Sequence, residues 1–114
     1  MKQVFILRGL PGCGKSYYAQ NLADEMVAGD QSQYLICSTD DYFYNEQGEY
    51  QFDKFKLSQY HNLNLARFIN ALAQEIPLII VDNTNIKKWE FIAYSQAAVA
   101  LGYQVKEVIV GEVK

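Results

Sequence analysis

Residues 2–16 read Lys2-Gln3-Val4-Phe5-Ile6-Leu7-Arg8-Gly9-Leu10-Pro11-Gly12-Cys13-Gly14-Lys15-Ser16. The first seven form a short apolar run with β-branched members that stops at a glycine, which predicts a buried strand. The next eight match the pattern GxxxxGK[ST]. Glycines in that pattern let successive backbone N–H groups point into one concave nest, and the helix that follows adds its positive dipole end. Such a loop wraps the β- and γ-phosphates of a nucleoside triphosphate, with Lys15 on the phosphates and the Ser16 hydroxyl on Mg²⁺. Average residue usage gives a chance match in a chain this long a probability of roughly 0.4%. The match also falls between a strand and a helix, where the mechanism needs it. The expected nucleotide-binding set is Gly9, Leu10, Pro11, Gly12, Cys13, Gly14, Lys15, Ser16 and Tyr17. Cys13 reads as a small residue that fits the loop.

Strand and helix signals alternate outward from this stretch. Residues 15–28 predict a helix with Tyr18, Leu22, Ala23 and Met26 on one face and Gly29 as its stop. Residues 33–38 predict a second strand, and 40–52 a polar, aromatic loop with a turn near Gln47 and Gly48. A long helix is expected over 53–74, where Leu57, Tyr60, Asn64, Phe68 and Leu72 recur at helical spacing. Residues 77–82 are apolar on both faces, as at the centre of a parallel sheet. A third helix over 86–101, with Asn85 as N-cap and Gly102 as stop, leads into a fourth strand over 104–110. Alternation of this kind predicts one three-layer α/β/α domain over residues 1–114, built on a mostly parallel sheet. Ligands of such sheets bind beyond the carboxyl ends of the strands. Three of the four strands run into polar residues there, at 9–16, 39–41 and 82–85.

Composition narrows the partners. A chain of 114 residues, 50% apolar, suits one small core. No apolar run approaches the roughly 20 residues that span a bilayer, and the amino terminus does not read as a signal peptide, so no membrane partner is expected. Cys13 and Cys37 read as structural thiols in a reducing cytoplasm, and a disulfide between them is disfavoured. Ten Lys plus Arg stand against thirteen Asp plus Glu, and the arginines are Arg8 and Arg67. That balance argues against tight, non-specific binding to long nucleic acids. It leaves a nucleotide or a nucleic-acid end open as a substrate.

Phosphoryl transfer rests on positioning and charge neutralisation, and a kinase adds a carboxylate that accepts the proton of the substrate hydroxyl. Asp40, directly after the second strand, is placed for that task, whereas Asp41 is expected to face the other way, capping a turn or touching solvent. Asp82 ends the third strand and could hold a water on Mg²⁺, or orient the acceptor with Asn83 and Asn85. The expected catalytic set is Asp40, Lys15 and Asp82; the metal-binding set is Ser16 and Asp82. Acceptor contacts are expected from Asp41, Tyr42, Asn83, Asn85 and Lys87. The aromatic loop over 41–52 could stack on an acceptor base or pack onto the long helix. His61 reads as a hydrogen-bonded structural residue.

The segments LRGLPGCGKS, STDDYFY, GEYQFD, LSQYHNLNLARF, IIVDNTNIKKWE and LGYQV resemble the polynucleotide-kinase-like P-loop ATPases, in particular the kinase domain of the NEDD-four-binding protein two group. The resemblance implies an adenylate-kinase-like core of strand order 2-3-1-4. It also implies transfer of the ATP γ-phosphoryl group to a hydroxyl, in the best-known relatives the 5′-hydroxyl of a nucleic acid. By position, Lys15 and Ser16 would hold ATP and Mg²⁺, Asp40 would be the general base, and Asp82 with Asn85 would support metal and acceptor. Two departures stand out. Phe43 and Tyr44 occupy the place where such kinases often carry an arginine, and the arginine-bearing lid helix and fifth strand are missing from these residues. Lys87 and Lys88 are the nearest substitutes.

Two functional readings follow. One is an ATP-dependent kinase acting on a hydroxyl of a nucleic-acid end or of a small molecule such as a nucleoside. The other is a non-catalytic ATP-binding module that lacks the lid. A GTP switch is disfavoured, because Asn85-Ile86-Lys87-Lys88 lacks the acid of a base-reading NKxD motif. An unpaired edge on the fourth strand would invite a homodimer.

Overall fold

Side chains alternate across a strand, so β1 (Gln3–Arg8) sends Val4 and Ile6 to one side and Phe5 and Leu7 to the other. The computed structural model, which describes residues 2–9, 14–83 and 88–111, builds a layer on each side of this strand. β2 (Tyr34–Cys37), β3 (Leu78–Asp82) and β4 (Gln104–Ile109) join β1 in a parallel sheet of order β2-β3-β1-β4. The order and the three-layer class are those expected from the sequence. β3 is buried at every position, which explains its lack of polar alternation.

Helix α1 (Lys15–Val27) covers the face of Phe5, Leu7, Leu78 and Ile80, where Ala19 and Ala23 let the backbones approach. Helices α2 (Leu57–Ala73) and α3 (Lys88–Ala100) cover the opposite face, where Phe68 and Tyr94 meet edge-on at 4.9 Å between ring centroids. The β2 edge of the sheet is only four residues long. On β4 the exposed Gln104, Lys106 and Glu107 blunt the edge with polar groups. No helix among the described residues is long and apolar enough to cross a membrane.

Boundaries differ from the sequence expectation in three places. α1 ends at Val27, and the left-handed C-cap falls on Ala28 (φ 54°), with Gly29 (φ 67°) continuing the turn. The second helix begins only at Leu57. Asp53 accepts the Phe55 amide at 2.9 Å and so starts a separate 3₁₀ turn, Lys54–Lys56, ahead of it. The aromatic stretch is not an open loop either. A 3₁₀ turn, Thr39–Phe43, leads into a small antiparallel bridge between Tyr44 and Tyr50. Its tip is held by the Asn45 side chain, which accepts the Gln47 and Glu49 amides at 2.9 Å, while Gly48 takes φ 78°. The turn near Gln47 and Gly48 is therefore present. The start of the third helix, including the Asn85 cap, lies outside the described residues.

Cys37 is a free thiol with no exposed surface. Burial pushes it up to about 12 from its ordinary 9.0, and pushes the Tyr94 phenol up to about 12 from 10.0. Both groups hold protons in the folded state that the unfolded chain releases. Their contribution is therefore complete below the unfolded values and is lost as pH rises towards the folded ones. The urea midpoint is expected to fall between about pH 9 and 12. Cys37→Ala should fall less steeply than the parent over that window; parallel curves would show that the thiol plays no part.

Candidate active site

Helix α1 begins at Gly14, whose φ of 94° and ψ of 19° suit a residue without a side chain, and no side chain caps its first amides. No acidic residue sits in its first turn. The positive end of the helix is therefore left for an external anion. β1 on β3 sets Leu7 opposite Asp82, which brings the first turn of α1 against the end of β3. Ser16 Oγ donates to Asp82 Oδ2 at 3.1 Å, and the buried Lys15 donates from Nζ to the Gly9 carbonyl at 3.0 Å.

Gly14, Lys15, Ser16 and Asp82 line a cleft of about 600 Å³ together with Tyr17, Asp40 and Asp41. Among the described residues, Lys15 is the cation of its lining. The electrostatics are mixed. Burial raises Asp82 above the ordinary carboxylate range; the Ser16 hydrogen bond and the Lys15 charge lower it, and the charges of Asp40 and Asp41 raise it further. Two hard oxygen donors, Ser16 Oγ and Asp82 Oδ2, suit Mg²⁺, an ion that keeps several waters and usually shares its shell with phosphate oxygens. No group of three His, Cys, Asp or Glu side chains among the described residues could hold a metal without such a ligand.

Asp40 is exposed to the cleft and accepts a hydrogen bond from the Tyr50 hydroxyl at 3.2 Å. Asp41 also borders the cleft; it touches solvent, the second of the two settings expected for it, and pairs with Arg67 Nη1 at 3.3 Å rather than capping a turn. Tyr17 is 76% exposed, free to meet a ligand. Tyr42 is not on this lining; it borders a neighbouring cavity, 5.7 Å from the Tyr60 ring. Asn83 does not reach the cleft surface: it is 1% exposed and its side chain is engaged inside the domain. Leu10, Pro11, Gly12, Cys13, Asn85 and Lys87 lie outside the described residues.

A buried polar network under the cleft went unread in the sequence. Asn83 Oδ1 accepts the Thr39 amide at 2.9 Å and an Asn64 side-chain N–H at 3.3 Å. The Asn64 and Asn83 amides both donate to the Tyr94 hydroxyl, at 3.1 and 3.4 Å. His61 Nδ1 lies 3.0 Å from Thr39 Oγ1 and 3.4 Å from the buried Glu90 carboxylate, a structural setting as expected. The bond from Thr39 to Asn83 ties the residue before Asp40 to the residue after Asp82. The one sequence signal was Asn64, a polar residue on the apolar stripe of α2.

The fold and site together define a P-loop domain of the kinase-like type. The chain belongs to the AAA domain family, whose model matches residues 4–111. It is 45% identical over 94 residues to human NEDD4-binding protein 2, an alignment that covers 80% of this chain and 5% of that protein. Its fold is similar to a chain of the Pnkp1/Rnl/Hen1 complex, with a TM-score of 0.69 and 18% identity over 99% of this chain and 36% of that one. It is also similar to Mycobacterium tuberculosis APS kinase CysC in complex with AMPPNP and APS, with a TM-score of 0.65 and 15% identity over 95% of this chain and 61% of that one. The chain thus spans a small part of the curated relative and under two thirds of either structural neighbour.

Asn83→Ala strands the buried Thr39 amide. It should cost about 1–3 kcal/mol in urea unfolding, whereas Ser32→Ala, at an exposed turn, should stay within about 0.5 kcal/mol. Equal costs would mean that the network does not brace the site.

Proposed function

We propose that this domain transfers the γ-phosphoryl group of ATP to a hydroxyl, either the 5′-hydroxyl of a nucleic acid or that of a small molecule such as a nucleoside. The observation that carries the reading is the convergence of Lys15, Ser16, Asp40 and Asp82 on one cleft at the carboxyl edge of the sheet. Lys15 and the open end of α1 bind the phosphates, with Leu10, Pro11, Gly12 and Cys13 completing the loop. Asp40 takes the proton of the acceptor hydroxyl as its oxygen bonds to the γ-phosphorus. The bond from that phosphorus to the bridging oxygen breaks, and ADP leaves with the electron pair. Ser16 and Asp82 would hold Mg²⁺, which when bound neutralises charge on the phosphates. Asp41, Asn85 and Lys87 would contact the acceptor, and Asn83 would act as a positioning residue through Thr39. A buried free thiol at Cys37 suits a reducing compartment, the cytoplasm.

A second reading, ATP binding without turnover, is favoured by the scarcity of cations. Arg8 pairs with Glu107 at 2.8 Å and Arg67 with Asp41, so among the described residues Lys15 carries the positive charge of the cleft lining. An arginine on the transferring group is worth about 10³–10⁵ in rate in related systems.

Label transfer from γ-labelled ATP to a panel of 5′-hydroxyl oligonucleotides and nucleosides separates the two. The kinase reading expects a labelled acceptor, a loss of about 10²–10⁴-fold in rate for Asp40→Asn, and abolition by EDTA. Lys15→Ala should weaken ATP binding in calorimetry. Tight ATP binding without transfer to any acceptor would leave the binding module.

A further inference from the structure

A second cavity, of about 550 Å³, opens beside the cleft. Tyr44 lines both, so the two flank one ring, four residues along the chain from Asp40. Phe43 is buried at the base and packs edge-on against Tyr60 and Phe52 at 4.7 and 5.0 Å between centroids. Those contacts account for Phe43 and Tyr60 as packing. Phe52, though it touches Phe43, is still 51% exposed, Tyr44 is 54% and Phe55 86% exposed.

The 3₁₀ turn presents Phe55 between Lys54 and Lys56, with Lys54 Nζ 5.4 Å from the Phe55 ring centroid. The charged side chains of the lining, among the described residues, are these two lysines and Asp53. One Asp53 carboxylate oxygen accepts the Phe55 amide at 2.9 Å, and the two lysines outnumber this acid on the lining. Glu46 and Glu49, at the tip of the small hairpin, are not on the lining. Exposed rings interleaved with lysines are the two halves of a single-strand platform: rings take bases, and ammonium groups take the phosphates between them.

We propose that this cavity holds the nucleotides that follow the reacting one in a single-stranded nucleic-acid acceptor. A base stacks on Phe55, Lys54 and Lys56 meet the backbone phosphates, and the strand passes Tyr44 with its 5′-hydroxyl towards Asp40. This assignment rests on the kinase reading for its direction along the strand. It explains how a chain of net charge −3 meets a polyanion: the contact is two or three nucleotides long and leans on stacking as much as on charge.

The test is fluorescence anisotropy of 3′-fluorescein-labelled, 5′-hydroxyl hexathymidylate, without ATP, on the full chain. Phe55→Ala should weaken binding about ten-fold or more. Lys54→Ala with Lys56→Ala should lower the log–log salt slope by about 0.7 per lysine. ATP-dependent labelling of thymidine, which has neither a following nucleotide nor a 3′-phosphate, should be the same in parent and variants. Variants that bind hexathymidylate as the parent does overturn the assignment. So does a parent chain that does not bind it, which would hand the exposed rings to a protein partner. Absence of label on every acceptor sinks the kinase reading instead, and the ATP-free binding then still decides on the cavity.

Discussion

The parallel register of β1 on β3 is the constraint from which the site descends. With Leu7 opposite Asp82, the chain leaving β1 turns into α1 directly beside the end of β3. Ser16 then meets the carboxylate at 3.1 Å, and Lys15 is buried alongside. A slip of one residue would send Val4 and Ile6 to the face of Phe5 and Leu7 and exchange the two cores. Core packing and site geometry are therefore set by the same alternation. β3 contributes most, because its burial on both faces fixes its height in the sheet as well as its orientation.

The third corner of the cleft is held differently. β2 has only four residues, and its packing alone would leave the following 3₁₀ turn loosely aimed. The Thr39 amide fastened to Asn83, and Asn83 to Asn64 and Tyr94, replaces hydrophobic contact with directional bonds. Asn64, Asn83 and Tyr94 are each 2% exposed or less, so these bonds do not compete with water. α2 and α3 thus aim Asp40 as well as cover the sheet.

Much of this was legible in the residues, and the reasons differ by element. The strand–loop–helix of 2–16 carried its own proof, because glycine spacing and lysine position are demanded jointly by backbone geometry and phosphate chemistry. The order β2-β3-β1-β4 came from family resemblance; no local pattern encodes it. The aromatic stretch over 40–52 misled as a loop because the order of its tip comes from side-chain bonds at Asn45, and the bond at Asp53 likewise delays the start of α2. Asn83 was read as facing the acceptor because it follows Asp82, yet Asp82 reaches the cleft while Asn83 is engaged inside the domain. Thr39, Tyr94 and Glu90 are brought together only by tertiary structure, and no single stretch of sequence could reveal that.

Three carboxylates, Asp40, Asp41 and Asp82, share one cleft with a single lysine among the described residues of its lining. Each is partly relieved: Asp40 by the Tyr50 hydroxyl, Asp41 by Arg67, Asp82 by Ser16 and Lys15. Burial still holds Asp82 above the ordinary carboxylate range, and the charges of Asp40 and Asp41 add to it. Folding alone would favour fewer acids here, since an amide in place of Asp82 would keep a partner for Ser16 without burying a charge. Under the proposed function a divalent cation would reverse the balance, because the same surplus of negative charge would attract it, and the open end of α1 with Lys15 would take the phosphates that accompany it. A ligand that binds the folded domain alone stabilises it by mass action. On that reading the surplus of acid is folding stability given up for affinity towards a metal-bound phosphate.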